Sequence, residues 1–443
     1  MRDAAAKMLA RLLGRLIPSA LWIYVGVILA MCMGACDIPI VAPRVRHYAC
    51  VVPDPLPPTL ATEESDMHRL TGGKPEHYPL RRWGAAPGPT DAVVHEAIET
   101  LARGQPAQAY LAVAGRLPTA GTEADRYGYM VCAYAAGRFA EAYPAAKSLA
   151  QVGAAGWPGY PPPNRAANAI ETLGGMYPRA YTVRDTRGSV LYMFYMCDGN
   201  LLARRMAPSA AGSYEAACAV VLGGAQPPAG LLPIQVYLPA TYGDWKWTCD
   251  LVGERNADDT HVWGMADQLS VVVRQLDKHG HEACPSNDDA AGMLAHETAH
   301  VLQAALGGVS RLSWMVEGEA EAAGAARLPY RGIAELRDAA RHVLRSPKSL
   351  SKAMESATAV PDDYCLYYAL ACCARNAGGL PQYRALMGDA DLSVPRKRDG
   401  AYRRHLGLDS RQLCARTAEW LKSDQWAMAS QGPYLPNTGI AGR

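Results

Sequence analysis

His296-Glu297-Thr298-Ala299-His300 sets two histidines four residues apart with a glutamate beside the first. On an α-helix that spacing puts both imidazoles on one face, where they can reach a single metal ion. The glutamate then projects close enough to take a proton from a water held there. The flanking residues predict such a helix. Ser286-Asn287-Asp288-Asp289 offers N-caps and first-turn carboxylates, Met293, Leu294, Val301, Leu302 and Leu306 recur at helical spacing, and Gly307-Gly308 supplies a stop. Two histidines placed mid-helix among apolar positions need partners for their ring nitrogens.

A catalytic zinc site takes three protein ligands and keeps one position for water. An extended pattern ending in a third histidine is excluded, because its glycine and histidine positions are Gln303 and Leu306. A carboxylate from the next helix remains. Ser313-Trp314-Met315-Val316-Glu317-Gly318-Glu319-Ala320-Glu321 supplies candidates, with Ser313 as the expected N-cap. Spacing alone leaves Glu317 and Glu319 open. Glu317 and Glu321 share a helix face, whereas Glu319 points elsewhere and reads as a solvated surface charge.

Together these two stretches resemble the motifs of the gluzincin metallopeptidases, and more narrowly those of bacterial peptidase-MA-like proteins. The second motif of that family, Trp-x-x-Glu-Gly-x-Ala-Glu, is matched by Trp314, Glu317, Gly318, Ala320 and Glu321. The resemblance implies an α+β fold, with a mixed-sheet subdomain followed by a helical one. It implies one Zn²⁺ ion held by His296, His300 and Glu317, with Glu297 as general base and Glu321 hydrogen-bonded to a ligand histidine, His296. The interval from His300 is one that Glu319 would match better in the aminopeptidases of the clan, but the Trp-x-x-Glu-Gly register favours Glu317. An oxyanion donor is implied from the helical half, with Tyr367 or Tyr368 as candidates. An edge strand is implied at Gly264, Met265 and Ala266, pairing with extended substrate backbone; a plain core strand fits those three residues equally well. The likeness spans roughly residues 179–424, and is specific at 296–300 and 314–321.

The rest of that span reads compatibly. Residues 180–183, 190–195 and 234–238 alternate or run apolar between turn signals, and 261–266 lead into a further strand-like run at 269–273. A helix is predicted over 201–222. Two more follow the motifs, at 367–380, closed by Gly378-Gly379, and within 402–421.

Upstream, residues 91–152 are Ala-rich and helical in pattern. Ala102 to Tyr110 recurs as Ala135 to Tyr143, 33 residues on, which is close to the tetratricopeptide period. Two copies fall short of a self-supporting solenoid, so the unit is expected to lean on its neighbour. A helical hairpin and a peptide-binding repeat describe it equally well. Residues 153–178 read as a linker, 37–90 as a proline-rich tether and 425–443 as a tail.

Residues 1–36 read as a targeting segment: Arg2, Lys7, Arg11 and Arg15 precede an uncharged run, and Met33-Gly34-Ala35-Cys36 resembles a lipoprotein cleavage box that would lipidate Cys36. An uncleaved anchor and an ordinary cleaved signal are the alternatives. Each places the body outside the cytoplasm, in the bacterial cell envelope. Export permits disulfides among the ten cysteines beyond Cys32 and Cys36, with Cys249–Cys284 the expected pair. None forms a C-x-x-C pair, which argues against a cysteine zinc site. A net charge of +2 gives no sign of nucleic-acid binding, and no phosphate loop or G-x-S-x-G elbow occurs.

The sequence therefore points to an exported, membrane-tethered zinc metallopeptidase acting on a peptide or protein substrate. Its rival is a non-catalytic envelope lipoprotein that binds protein partners through its repeats and keeps the metal as structure. An intact Glu297 argues for the enzyme, since a structural site needs no base. A hydrolase acting on something other than peptides is also compatible.

Overall fold

Ile234–Leu238 is buried at every position, as a strand covered on both faces must be, and it lies inside a mixed six-stranded sheet. In the computed structural model the described residues are 50–51, 91–157, 160–197, 200–252, 264–276, 279–282, 284–307, 312–356, 359–423 and 426. All of them belong to one compact unit. The expected targeting segment with Cys36, most of the tether and nearly all of the tail lie outside them. No described helix is long and apolar enough to cross a membrane.

The strands are Cys50–Val51 (β1), Arg179–Arg184 (β2), Val190–Met196 (β3), Ile234–Leu238 (β4), Gly264–Asp267 (β5) and Ser270–Val273 (β6). Their spatial order is β1-β2-β3-β4-β6-β5. β3, β4 and β6 run parallel, while β1–β2, β2–β3 and β5–β6 are antiparallel. The strand-like runs at 261–266 and 269–273 supply β5 and β6, the two arms of a hairpin that turns at Gln268, whose φ is 52°. β1 falls inside the expected tether, so that stretch contributes an edge strand to the sheet.

The helices are Ala92–Ala102 (α1), Pro106–Val113 (α2), Glu123–Ala135 (α3), Phe139–Gln151 (α4), Pro163–Met176 (α5), Leu201–Met206 (α6), Ala210–Leu222 (α7), Tyr242–Val252 (α8), Asn287–Leu306 (α9), Ser313–Arg327 (α10), Pro329–Arg345 (α11), Ser349–Glu355 (α12), Tyr364–Met387 (α13), Arg398–Leu406 (α14) and Ser410–Lys422 (α15). The result is a mixed α+β fold. Three helical boundaries differ from expectation. The 163–176 part of the expected linker is a helix, started by Pro163 and burying Ala166, Ile170 and Leu173. The helix over 201–222 is interrupted by a 3₁₀ turn at Ala207–Ser209, where Pro208 sits. α13 starts at Tyr364, breaks from helical geometry at Gly379 (φ 74°), and resumes to Met387.

The repeated segments straddle the α1–α2 and α3–α4 turns. Gly104 and Gly137 occupy equivalent places there with φ of 77° and 74°, a conformation open to glycine. These helices share one apolar core with the sheet and α9. The seam is polar as well. Arg138, 1 % exposed, pairs with Glu141 and donates to the carbonyls of Leu231 and Pro233 beside β4. Gln235 Nε2 donates to the other Glu141 oxygen, and Gln108 Nε2 donates to the Ala304 carbonyl near the end of α9. The repeat-like helices are thus built into the body.

A second core joins α10 to α15. α10 belongs to both, burying Ala320 and Ala323 on the sheet side and Trp314 and Met315 on the other. α10 reaches α13 so closely because residue 318 is glycine: a Cβ there would overlap the Tyr367 carbonyl oxygen and fall 2.8 Å from Ala371 Cβ. Alanine would gain about 1 kcal/mol in helix propensity. A backbone carbonyl cannot rotate away, however, so overpacking should win, and Gly318→Ala is expected to destabilise by about 1–3 kcal/mol net. Denaturant melts of the two proteins check this; an unchanged or raised midpoint would mean that α10 and α13 have slack.

Candidate metal centre

α9 begins with a reciprocal cap. Ser286 Oγ accepts from Asp289 N at 3.0 Å, and the Asp289 carboxylate accepts from Ser286 N at 3.2 Å. Gly307 ends the helix with a φ of 71°. Thr298 pins the back of α9 to the sheet: its hydroxyl meets the Tyr192 hydroxyl at 2.8 Å and donates to the Leu294 carbonyl at 2.6 Å. At about 100° per residue, His296 and His300 then point the opposite way, toward α10.

α10 meets them with Glu317. Its N-cap is Leu312, not the expected Ser313, and no side chain caps it. Trp314 anchors that end instead, fully buried with its ring 6.5 Å from that of Tyr383 and 6.2 Å from that of Tyr402. His296 Nε2 and His300 Nε2 lie 3.1 Å apart, and each is 3.4 Å from Glu317 Oε2. These three residues form the one group among the described residues whose ligand atoms converge in this way.

Four-coordinate zinc with ligands at 2.0–2.1 Å makes a tetrahedron of edge about 3.3–3.4 Å, so the triangle fits such an ion. The donor chemistry fits too. His296 Nδ1 faces Glu321 Oε1 at 3.1 Å, and His300 Nδ1 faces Gln303 Oε1 at 3.0 Å. Both faced atoms are acceptors, so each Nδ1 donates outward and the neutral rings turn bare Nε2 lone pairs toward a carboxylate. Three acceptors this close require a cation or extra protons between them. Glu321 is itself held by Arg331 Nη2 at 3.3 Å.

Electrostatics follow the same geometry. Burial alone would lower His296, but Glu317 and Glu321 outweigh it and hold its pKa well above the ordinary value. His300 is also raised: Glu317 overcomes the opposing effect of burial. Burial would raise Glu317, yet the two histidines hold it well below the usual carboxylate range. Glu297 is different. Only 3 % exposed, it is raised mainly by burial, and its Oε2 has no hydrogen-bond partner.

Gly264 lies on β5, which ends the sheet among the described residues, so it belongs to an edge strand and not to a core strand. A Cβ there would come within 2.7 Å of Glu297 Oε1 and 2.8 Å of Met293 Sδ. Glycine therefore leaves the room the Glu297 carboxylate occupies. Met265 is buried behind it, and Ala266 is partly exposed.

Four expectations need correction. Tyr367 is fully buried and its hydroxyl accepts from Val360 N at 3.2 Å, while Tyr368 lies against Cys372. The tyrosine facing the site is Tyr364, whose ring stacks on His296 at 6.2 Å and 9°. Burial, then Glu317, Glu297 and Glu321, push its phenol up and keep it protonated. One turn of α13 separates the expected residues from the one that the structure places there. Glu319 is not solvated: it is fully buried, with Arg384 Nη2 at 2.5 Å and Arg375 Nη1 at 3.4 Å. Finally, Cys249 and Cys284 are not joined; Cys284 is a buried thiol, and Cys249 Sγ lies 3.1 Å from Met265 Sδ on the sheet.

Comparison with known proteins finds no matching family model, no similar curated protein and no similar solved structure.

Cation binding needs neutral imidazoles, whereas the metal-free cluster favours protonated ones. Protons on His296 and His300 stabilise the metal-free fold at low pH, and that contribution is lost as pH rises through their raised pKa values. A divalent cation should compete better in the same direction. The thermal shift on adding one is expected to grow from about pH 6 to about pH 8. A shift that is flat or falls over that range would contradict the arrangement.

Proposed function

We propose that the chain is a zinc-dependent peptidase of the gluzincin type, exported through its N-terminal segment. The observation that carries the proposal is the convergence of His296 Nε2, His300 Nε2 and Glu317 Oε2 beside the buried, unpartnered oxygen of Glu297. A purely structural metal site has no use for that carboxylate, because an unpaired buried acceptor costs about 1–3 kcal/mol.

Zinc held by these ligands would supply a Lewis acid that polarises a carbonyl and acidifies a water. The chain's own residues do the rest. Glu321 and Gln303 hold the two imidazoles in their ligand tautomers. Glu297 takes the proton of the attacking water and hands it to the leaving amine; burial shifts its pKa toward neutrality, where a general base works best. The Tyr364 phenol donates a hydrogen bond to the oxygen that gains charge. Among the described residues no strand pairs with the outer edge of β5, beside Glu297; extended peptide backbone can pair there, which favours a peptide over other acyl substrates.

Glu297→Gln is nearly isosteric, cannot accept the proton, and should keep the metal while lowering peptide turnover by about 10²- to 10⁴-fold. Assays at equal zinc content, on a broad peptide library, separate chemistry from metal loss. Gly264→Ala should also bind metal normally but lose turnover, since its methyl displaces the Glu297 carboxylate. Equal cleavage by the wild type and the Gln variant would remove Glu297 from the mechanism.

A further inference from the structure

We infer that Gln303 and Glu319 form a positioning relay that sets the tautomer of His300 and thereby makes its Nε2 a ligand atom. The inference rests on reading His296, His300 and Glu317 as a metal site, and it assigns a purpose to two buried residues outside the ligand set.

Gln303 sits one turn after His300 and is 1 % exposed. Its Nε2 lies 3.1 Å from the Val316 carbonyl and 3.0 Å from Glu319 Oε2. Both are acceptors, so the NH₂ end of the amide must face them, and both its hydrogens are used. Oε1 is left facing His300 Nδ1 at 3.0 Å. An amide oxygen only accepts; the proton therefore sits on Nδ1, and Nε2 carries the lone pair. Reversing the amide would set its oxygen against two acceptors and an N–H against Nδ1. The histidine proton would then move to Nε2, where it blocks a metal.

Glu319 holds this choice in place. Its Oε1 meets Arg384 and Arg375, both from α13, and Arg384 Nη2 also donates to the Val221 carbonyl on α7 at 2.9 Å. Oε2 is thereby aimed at Gln303. Apolar side chains of similar volume would avoid the desolvation cost of a buried ion cluster; what this cluster supplies instead is the orientation of Glu319 Oε2 toward Gln303. His296 is served directly by Glu321; His300 is served through an intermediate. Glu319 and Gln303 are positioning residues, since neither touches the ligand triangle's interior.

Cobalt(II) titration of the metal-free full-length chain, followed by its visible absorption, tests the relay, with zinc competition giving affinities. Gln303→Met removes the acceptor at similar length and should weaken metal binding by about 10- to 100-fold and alter the cobalt spectrum. The exchanged pair Gln303→Glu with Glu319→Gln rebuilds an acceptor at 303 and a donor at 319 but leaves the Val316 carbonyl without its donor, so it should bind at least several-fold tighter than Gln303→Met and restore the wild-type cobalt spectrum. If Gln303→Met melts lower but binds cobalt with wild-type affinity and spectrum, the pair is merely structural and the relay is wrong. If Gln303→Met does not fold, the exchanged pair decides: folded with cobalt bound and the wild-type spectrum restored supports the relay, and folded with binding lost overturns it. Wild-type protein that fails to bind cobalt at all would instead overturn the metal site, and the relay with it.

Discussion

Three electron-pair donors are held within 3.1–3.4 Å of one another at the contact of two helices, and the surroundings are arranged to keep them there. Left to themselves, two neutral imidazoles and a carboxylate would turn apart or take up protons. They are instead locked from outside: His296 by Glu321 and Arg331, His300 by Gln303. α9 is fixed at its back by Thr298 and Tyr192, and α10 is drawn against α13 through Gly318 and Trp314. A cation is the simplest occupant that satisfies all three donors at once.

Much of this was legible in the sequence, for local reasons. The capping box at Ser286 and the i, i+4 histidines are local signals of one helix, and Trp314, Glu317, Gly318 and Glu321 are read by spacing along a second helix. Burial by distant partners was not legible. Glu319 looks like a surface charge until Arg375, 56 residues later, folds against it. Tyr364 was missed because α13 begins earlier than its apolar pattern suggests, after a 3₁₀ turn at Pro361–Asp363. Likewise, the helix at Pro163–Met176 was hidden behind a proline-rich approach, although a proline at the first helical position favours a start.

The N-terminal helices also take a different part from the one their repeat pattern suggests. A two-copy repeat cannot close a solenoid core alone. Here its helices bury their apolar faces against the sheet, and Gln108 reaches the Ala304 carbonyl of α9. The repeat-like segment thus supports the end of the helix that carries both histidines. Removing it would expose part of the core that positions the site.

We propose that His296, His300 and Glu317 coordinate one zinc ion. Anomalous diffraction across the zinc absorption edge, from crystals of the full chain grown with zinc, tests it most directly. A single strong peak is expected about 2.0–2.1 Å from both Nε2 atoms and a Glu317 oxygen. No peak at that point, or a peak coordinated by Glu319 with Glu317 turned away, would contradict it.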